Sequence, residues 1–264
     1  MDNIKQLIDS LHLQDVRNDL HPSIFDDNEE YNMLILRLPI ITENELNAHS
    51  LSFILTKDES YYYNKEKSSF EKLDDLFMGP HTIANKLIDK LLKSFLEYQE
   101  EISVMEEKLY ASDHDENFLN NWLSFKLEIL RIERILLKAK GTMDEFIEYY
   151  SEAESFPMNH YVDLDEHIER VMRSAAMQLS KLDYLYSFYN AKSNDKMNKM
   201  IYILTIISAI FLPLNLVVGF FGMNTSGLPF AEGTSGTVYA ISLMASLAIV
   251  TSLVVLKWRK KVEK

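Results

Sequence analysis

The chain has 264 residues, a net charge of −13, no cysteine, 7 glycines and 6 prolines. The missing thiols exclude disulfide frameworks and thiolate zinc sites, and the acidic balance argues against nucleic acid as a partner. Scarce glycine and proline suit a mainly helical protein.

The N-terminal MDNIKQLIDS lacks the basic and apolar regions of a secretory leader, so no signal peptide is expected. One short helix is expected around Ile4–Leu13. Tyr31–Ile40 is short, apolar and bounded by Pro39, which reads as a buried strand. Leu51–Thr56 reads as its partner, and the consecutive aromatics Tyr61–Tyr63 read as a third strand. Residues 1–80 are therefore expected to form a small α/β domain.

Met78-Gly79-Pro80 breaks the chain, and His81-Thr82 opens a helix. Ile83, Leu87, Leu91, Phe95, Tyr98, Ile102, Met105 and Leu109 recur on one of its faces. The polar run Ser112–Asn117 ends that helix. A second runs from Phe118 to about Tyr150 with Trp122, Phe125, Ile129, Ile132 and Leu136 inward, so 81–157 is read as an antiparallel pair weakened locally at Gly141. After Phe156-Pro157 there is neither Gly nor Pro from Val162 to Leu212. Leu164, Ile168, Val171, Ala175, Leu179, Leu182, Tyr186 and Tyr189 step by threes and fours, close to a heptad seam. This stalk, 158–200, leads without a breaker into an apolar stretch. The expectation is one helix from about Val162 to Phe221, ~90 Å long.

From Ile201 to Phe230 there is no charged side chain, and Glu232 is the first. At ~1.5 Å per residue the apolar part can cross a ~30 Å hydrocarbon core. Segment 201–224 is read as a first transmembrane helix, 225–236 as a loop, 237–257 as a second helix and 258–264 as a basic tail. Lysines precede the first span, Lys and Arg follow the second, and the loop has none. The positive-inside rule puts both termini in the cytoplasm, Asn224 outside, and the protein in an inner or plasma membrane as a multi-pass protein.

The first span ends in Gly222-Met223-Asn224 and is approached through Met197-Asn198, Leu204–Ile207, Ile210–Leu214 and Gly219. A Gly-Met-Asn motif at this end of this helix, followed closely by a second helix, resembles the CorA family of divalent-cation channels. The detailed likeness covers Asn198–Leu256; upstream it is one of layout, with a smaller α/β domain than is usual. The resemblance implies a homopentameric funnel: a small N-terminal α/β domain, a stalk helix continuous with a pore-lining first span, and a C-terminal two-helix hairpin in lipid. By position, it implies a constriction at Ile201, Leu204 and Leu212, polar axial positions at Asn198, Asn215 and Gly219, and an outer mouth at Asn224.

Residue spacing agrees with that assignment. Asn198, Ile201, Leu204 or Thr205, Ser208, Leu212, Asn215 and Gly219 recur near the helical period and can share one face. Rings of Ile or Leu exclude water, and rings of Asn offer carbonyl oxygens to an ion or its hydration shell. Mg²⁺ gives up its water reluctantly, so neutral carboxamides at Asn224 suit hydrogen bonding to a hydrated ion. Attraction to the mouth then falls to the helix C-termini and to Glu232. Pro213 removes one backbone hydrogen bond and is expected to bend the helix. The bland alternatives are that Asn215 joins helices and that Asn224 caps one.

The family senses cytoplasmic Mg²⁺ through stalk carboxylates. At the matching position this chain has Ser187, with Asp183 and Asp195 nearby as candidate regulatory ligands. His160, Asp163, Asp165 and His167 could bind a transition metal, but a helix start capped by Asp163 or Asp165 accounts for them better. The Asp113-His114-Asp115 turn is discounted likewise. No nucleophile, base and oxyanion arrangement points to an enzyme, and no cofactor is implied. The reading is a channel moving divalent cations, Mg²⁺ foremost, into the cytoplasm. Phe221 and the Gly- and Pro-containing loop after Asn224 keep Zn²⁺, Co²⁺ and Ni²⁺ open through the zinc-transporting branch. A non-conducting membrane-anchored assembly is the alternative of another class.

Overall fold

The computed structural model describes residues 2–42, 45–111, 117–223 and 234–262. They fall into two compact units, Met1–Ser187 and Phe188–Lys264. The first unit opens with α1 (Asp2–Leu7) and α2 (Ser10–Arg17), where one helix was expected. The split has a local cause. Asp9 has extended backbone (φ −56°, ψ 148°), and its side chain accepts a hydrogen bond from Leu11 N at 2.7 Å, capping α2.

A five-stranded antiparallel meander follows: β1 (Ile24–Asp27), β2 (Asn32–Thr42), β3 (Glu45–Leu55), β4 (Ser60–Asn64) and β5 (Ser69–Lys72), in spatial order β1-β2-β3-β4-β5. Strands β2, β3 and β4 match the three expected, with β3 starting earlier than Leu51. The outer pair, β1 and β5, was not expected. Strand β2 is apolar without alternation because both of its faces are covered. Met33 and Ile35 join Ile4, Ile8, Val16 and Ile54 beneath α1 and α2. Leu34, Leu36 and Leu38 are equally buried on the opposite face, where the long helices lie against β2.

Pro39 does not end β2, which continues to Thr42 and pairs Pro39 with Ala48. Arg37 N donates to Ser23 Oγ at 2.8 Å, so odd-numbered amides here face the β1 side. Strand β1 stops opposite Ile35. The nitrogen of Pro39 therefore faces an open edge, where a missing N–H costs no ladder bond.

Helix α3 (Met78–Tyr110) begins three residues earlier than expected, with Gly79 and Pro80 in its first turn instead of forming a break. Proline is tolerated there because that amide has no intrahelical partner. The side chain of Asp75 accepts from the amides of Phe77 and Met78 at 2.9 and 2.7 Å, satisfying two orphan donors. Gly79 is required by close approach: a Cβ there would lie 2.7 Å from Leu73 Cβ. At the start of α3 the buried residues are Pro80, His81, Ala84 and Ile88, with Ile83 and Leu87 half-buried, and the stripe then follows expectation from Leu91 to Leu109.

Helix α4 (Phe118–Tyr150) runs through Gly141 and buries Ile129, Ile132 and Leu136. Helix α5 (Met158–Phe221) also begins earlier than expected and is helical throughout, Pro213 included. Its seam buries Leu164, Ile168, Val171, Ala175 and Leu182, then passes to Leu185, leaving Tyr186 exposed. A straight helix drifts against a heptad repeat in just this way.

The starts of α3 and α5 and the last turns of α4 form one aromatic cluster, which reaches the sheet through Phe25 of β1. Phe77 contacts Tyr150 and Phe156 at 4.9 and 5.1 Å between ring centres, and Tyr161 contacts Phe156 and Phe146 at 4.9 and 5.2 Å. Tyr161 is fully buried and donates to Phe77 O at 2.7 Å; burial pushes its phenol pKa up.

The second unit holds the rest of α5 and α6 (Thr234–Val262). Among the described residues α5 alone is long and apolar enough to cross a membrane, and its most apolar window has no buried residue. Helix α6 carries a shorter apolar stretch, Ile241–Val254.

Candidate functional site

The sequence places the candidate ion-path residues on the apolar half of α5. At about 100° per residue, Asn198, Ile201, Leu204, Thr205, Ser208, Leu212, Asn215 and Gly219 fall within an arc of about 120°. All are exposed in the single chain except Ser208, which is half-buried. The half-buried positions of the same segment, Tyr202, Ile206, Ile210, Pro213 and Val217, form a stripe on the opposite side. Helix α6 has a matching half-buried stripe at Met244, Leu247, Ala248 and Thr251. Thr205 spends its hydroxyl on Ile201 O at 2.8 Å, as a hydroxyl in an apolar helix commonly does.

The helix closes at the motif. Gly222 N donates to Val218 O at 2.8 Å and Met223 N to Phe220 O at 3.4 Å. A Cβ on Gly222 would sit 3.0 Å from that same Val218 oxygen, so any larger residue strains the final turn. Met223 is exposed. Asn224 and Glu232 lie outside the described residues, as does the Asp113–Asp115 turn.

The candidate regulatory acids are each held by a lysine. Asp183 accepts from Lys126 of α4 at 2.5 Å, and Asp195 pairs with Lys199 one turn along at 2.7 Å. Ser187 donates back to Asp183 O at 2.9 Å. Lys126 also lies 5.0 Å from the ring centre of Trp122, and Trp122 stacks on Tyr186 at 4.5 Å. Trp122 Nε1 donates to Leu182 O at 2.9 Å. Residues from α4 and α5 thus meet beside the exposed Asp183, a grouping set by tertiary packing that no sequence spacing announced.

The His160, Asp163, Asp165 and His167 group is dispersed. Because α5 starts at Met158, neither aspartate caps it. His160 O accepts from His81 Nε2 at 3.1 Å, and burial lowers the pKa of His81. Asp165 pairs with Lys140 at 2.9 Å, and burial raises its pKa. His167 lies 3.8 Å from Asp163 and 4.0 Å from Asp89. Among the described residues no three His, Asp or Glu side chains gather as a metal site.

Comparison with known proteins covers the whole arrangement. The family model described as "CorA-like Mg2+ transporter protein" matches residues 2–260. The zinc transport protein ZntB of Vibrio parahaemolyticus is 24% identical over 247 residues, 90% of this chain and 76% of that one. The cobalt/magnesium transport protein CorA of Thermotoga maritima is 22% identical over 268 residues, covering 92% and 74%. Among solved structures, the CorA magnesium transporter from Methanocaldococcus jannaschii superposes with a TM-score of 0.75 at 17% identity, covering 95% of this chain and 83% of that one. Full-length CmaX superposes with a TM-score of 0.68 at 16% identity, covering 96% and 82%. With a family match over nearly its whole length, this chain belongs to the CorA-like family, a family of membrane transporters and not of enzymes.

Proposed function

We propose that five copies of this chain form a pore lined by the apolar half of α5, through which a hydrated divalent cation, Mg²⁺ foremost, enters the cytoplasm. The observation that carries this reading is the arc on α5. Its polar and branched residues share one uncovered face, opposite the stripe that is already half-buried in a single chain. A face of that composition suits neither lipid nor a soluble core, since Asn215 would lie in hydrocarbon without a partner.

In this reading Asn224 forms a carboxamide collar at the outer mouth and hydrogen-bonds to the ion's water shell. Rings of Ile201, Leu204 and Leu212 close the path by excluding water. Glu232 and the converging C-terminal ends of α5 draw cations to the mouth. An inside-negative potential supplies ~4.6 kcal/mol per 100 mV for a doubly charged ion, so no nucleotide is needed. Both termini lie in the cytoplasm, with two membrane crossings per chain. The lysines at Asp183 and Asp195 leave those acids less available as cytoplasmic sensors of the ion.

Zinc is the second reading, favoured by the ZntB relative, which aligns over 90% of this chain. Reconstitution into liposomes with an imposed inside-negative potential tests both. Mg²⁺ influx that Asn224→Ala abolishes is the expected result, and competition by Zn²⁺ and Co²⁺ ranks the ions. Passage of none of these ions, with Asn224→Ala indistinguishable from the parent, refutes transport and leaves a non-conducting assembly.

A further inference from the structure

A cavity in the first unit carries groups that the ion path does not use. The pairing of Asn32 with Leu55 puts the turn before β2 and the turn after β3 at the same end of the sheet. The start of α3 and the connection between α4 and α5 close around that end and leave a cavity of about 290 Å³. Liquid water takes about 30 Å³ per molecule, so the space holds about ten waters or one small organic molecule. Leu55 and Phe77, both buried, form its floor. Tyr150 stands beside them, its ring centre 4.9 Å from that of Phe77 and 4.9 Å from that of the exposed Tyr149.

Asn32 also lines the cavity and is only 7% exposed. Its Oδ1 accepts from Asn28 N at 3.3 Å, and its Nδ2 donates to the hydroxyl of Tyr150 at 2.6 Å. Two hydrogens are then left without acceptors among the described residues: the second on Asn32 Nδ2 and the one on the Tyr150 hydroxyl. Burial pushes the phenol pKa of Tyr150 up, which keeps that proton in place. Polar groups at this depth normally have partners. The rim adds charge of both signs. Lys57 stands on one turn, Glu29 and Glu30 on the other, and all three are exposed. Among the described residues none of them has an ion pair.

We propose that this cavity binds a free amino acid with an apolar or aromatic side chain. The carboxylate accepts from Tyr150, Asn32 and Lys57, the ammonium meets Glu29 and Glu30, and the side chain lies on Leu55, Phe77 and Tyr149. A simple carboxylate would be set against the two glutamates with one lysine to offset them. A simple amine would leave the two inner donors unfilled. A zwitterion answers both ends, because its charges are complementary to the two sides of the rim. A nucleotide suits the site poorly, since one lysine beside two glutamates does not balance several phosphate charges. The cavity shares no residue with the arc on α5, so this proposal and the transport reading stand or fall separately.

Calorimetric titration of the full-length protein in detergent with L-leucine and L-phenylalanine tests the proposal. Saturable binding of one molecule per chain is the expected result. Hydrocinnamate, which is phenylalanine without its ammonium, and phenethylamine, which is phenylalanine without its carboxylate, should each bind about tenfold more weakly or worse. Tyr150→Phe keeps the ring and removes one donor, and should weaken L-phenylalanine about tenfold. Lys57→Gln lies on an exposed turn where it leaves the fold alone, and should weaken it about threefold. Far-ultraviolet circular dichroism of both variants should match the parent. Failure of both amino acids to bind at about 10 mM overturns the proposal. Hydrocinnamate or phenethylamine binding as tightly as L-phenylalanine also overturns it, because the cavity is then a site for a single charge. Unchanged affinity in both variants overturns it as well, because the ligand then sits elsewhere.

Discussion

The contact between Trp122 and Tyr186 tests whether α5 is clamped where the first unit ends, and its strength follows from the geometry. The rings stack at 4.5 Å with planes 21° apart, worth about 1 kcal/mol beyond area burial. Trp122 Nε1 adds a 2.9 Å hydrogen bond to Leu182 O, worth about 1 kcal/mol net. Lys126 adds roughly 0.5 kcal/mol through the ring face at a partly exposed site. Trp122→Ala should therefore cost about 2–3 kcal/mol, and Trp122→Phe about 1, since it keeps a ring to stack but loses the N–H. The stacking share is isolated by a double-mutant cycle with Tyr186→Ala, for which a coupling of about 1 kcal/mol is expected. Urea unfolding of the purified protein in detergent, followed by far-ultraviolet circular dichroism, reads all four corners. A coupling below about 0.3 kcal/mol would show that the rings are merely adjacent and that the hydrogen bond alone holds Trp122.

Three further outcomes are expected. Gly79→Ala forces a Cβ to 2.7 Å from Leu73 Cβ and should cost about 1–3 kcal/mol by the same unfolding assay; a loss below about 0.5 would mean that α3 starts differently. Lys140→Met removes the partner of Asp165, whose side chain is 15% exposed, at a cost of about 1–2 kcal/mol after discounting for solvent. Burial raises the pKa of Asp165 and Lys140 opposes that rise, so removing the lysine raises it further, and the deficit of this variant should grow as pH rises from 5 to 7.5. His81 has the opposite sign: its pKa is lowered by burial, so below 6.5 the unfolded chain binds more protons and stability rises with pH through that window. Acidification from pH 7 to 5.5 should destabilise the protein, and His81→Gln, which keeps a donor for His160 O, should flatten that slope. An unchanged slope would exclude His81 as its source.

Much of the architecture was legible because it rests on long periodic signals. The helices from Leu91 to Leu109, from Phe118 to Tyr150 and through the stalk carry unbroken three-four spacing, and a helix buries what that spacing presents. Strand β2 was legible from its apolar run. Strands β1 and β5 were not, since IFDD and SFEK lack the β-branched enrichment that marks a strand and are held by pairing with stronger neighbours. The early starts of α3 and α5 were hidden because Pro80 and Pro157 look like breaks, whereas proline fits the first turn of a helix or the residue before it. In the candidate site, the arc on α5 could be read from spacing alone. The lysines on Asp183 and Asp195 could not be weighed in the same way: Lys199 is a local i,i+4 partner, but Lys126 reaches Asp183 across 57 positions of sequence.

The sheet order β1-β2-β3-β4-β5 has a consequence for biogenesis. Every strand pairs only with the strand made just before or just after it, so each closing loop is short and cheap in entropy. All the pairings are available once Lys72 has been synthesised, well before the apolar half of α5 is made. A nascent chain can thus arrange its sheet while the lipid-seeking segment is still unmade, so the two folding problems are separated in time.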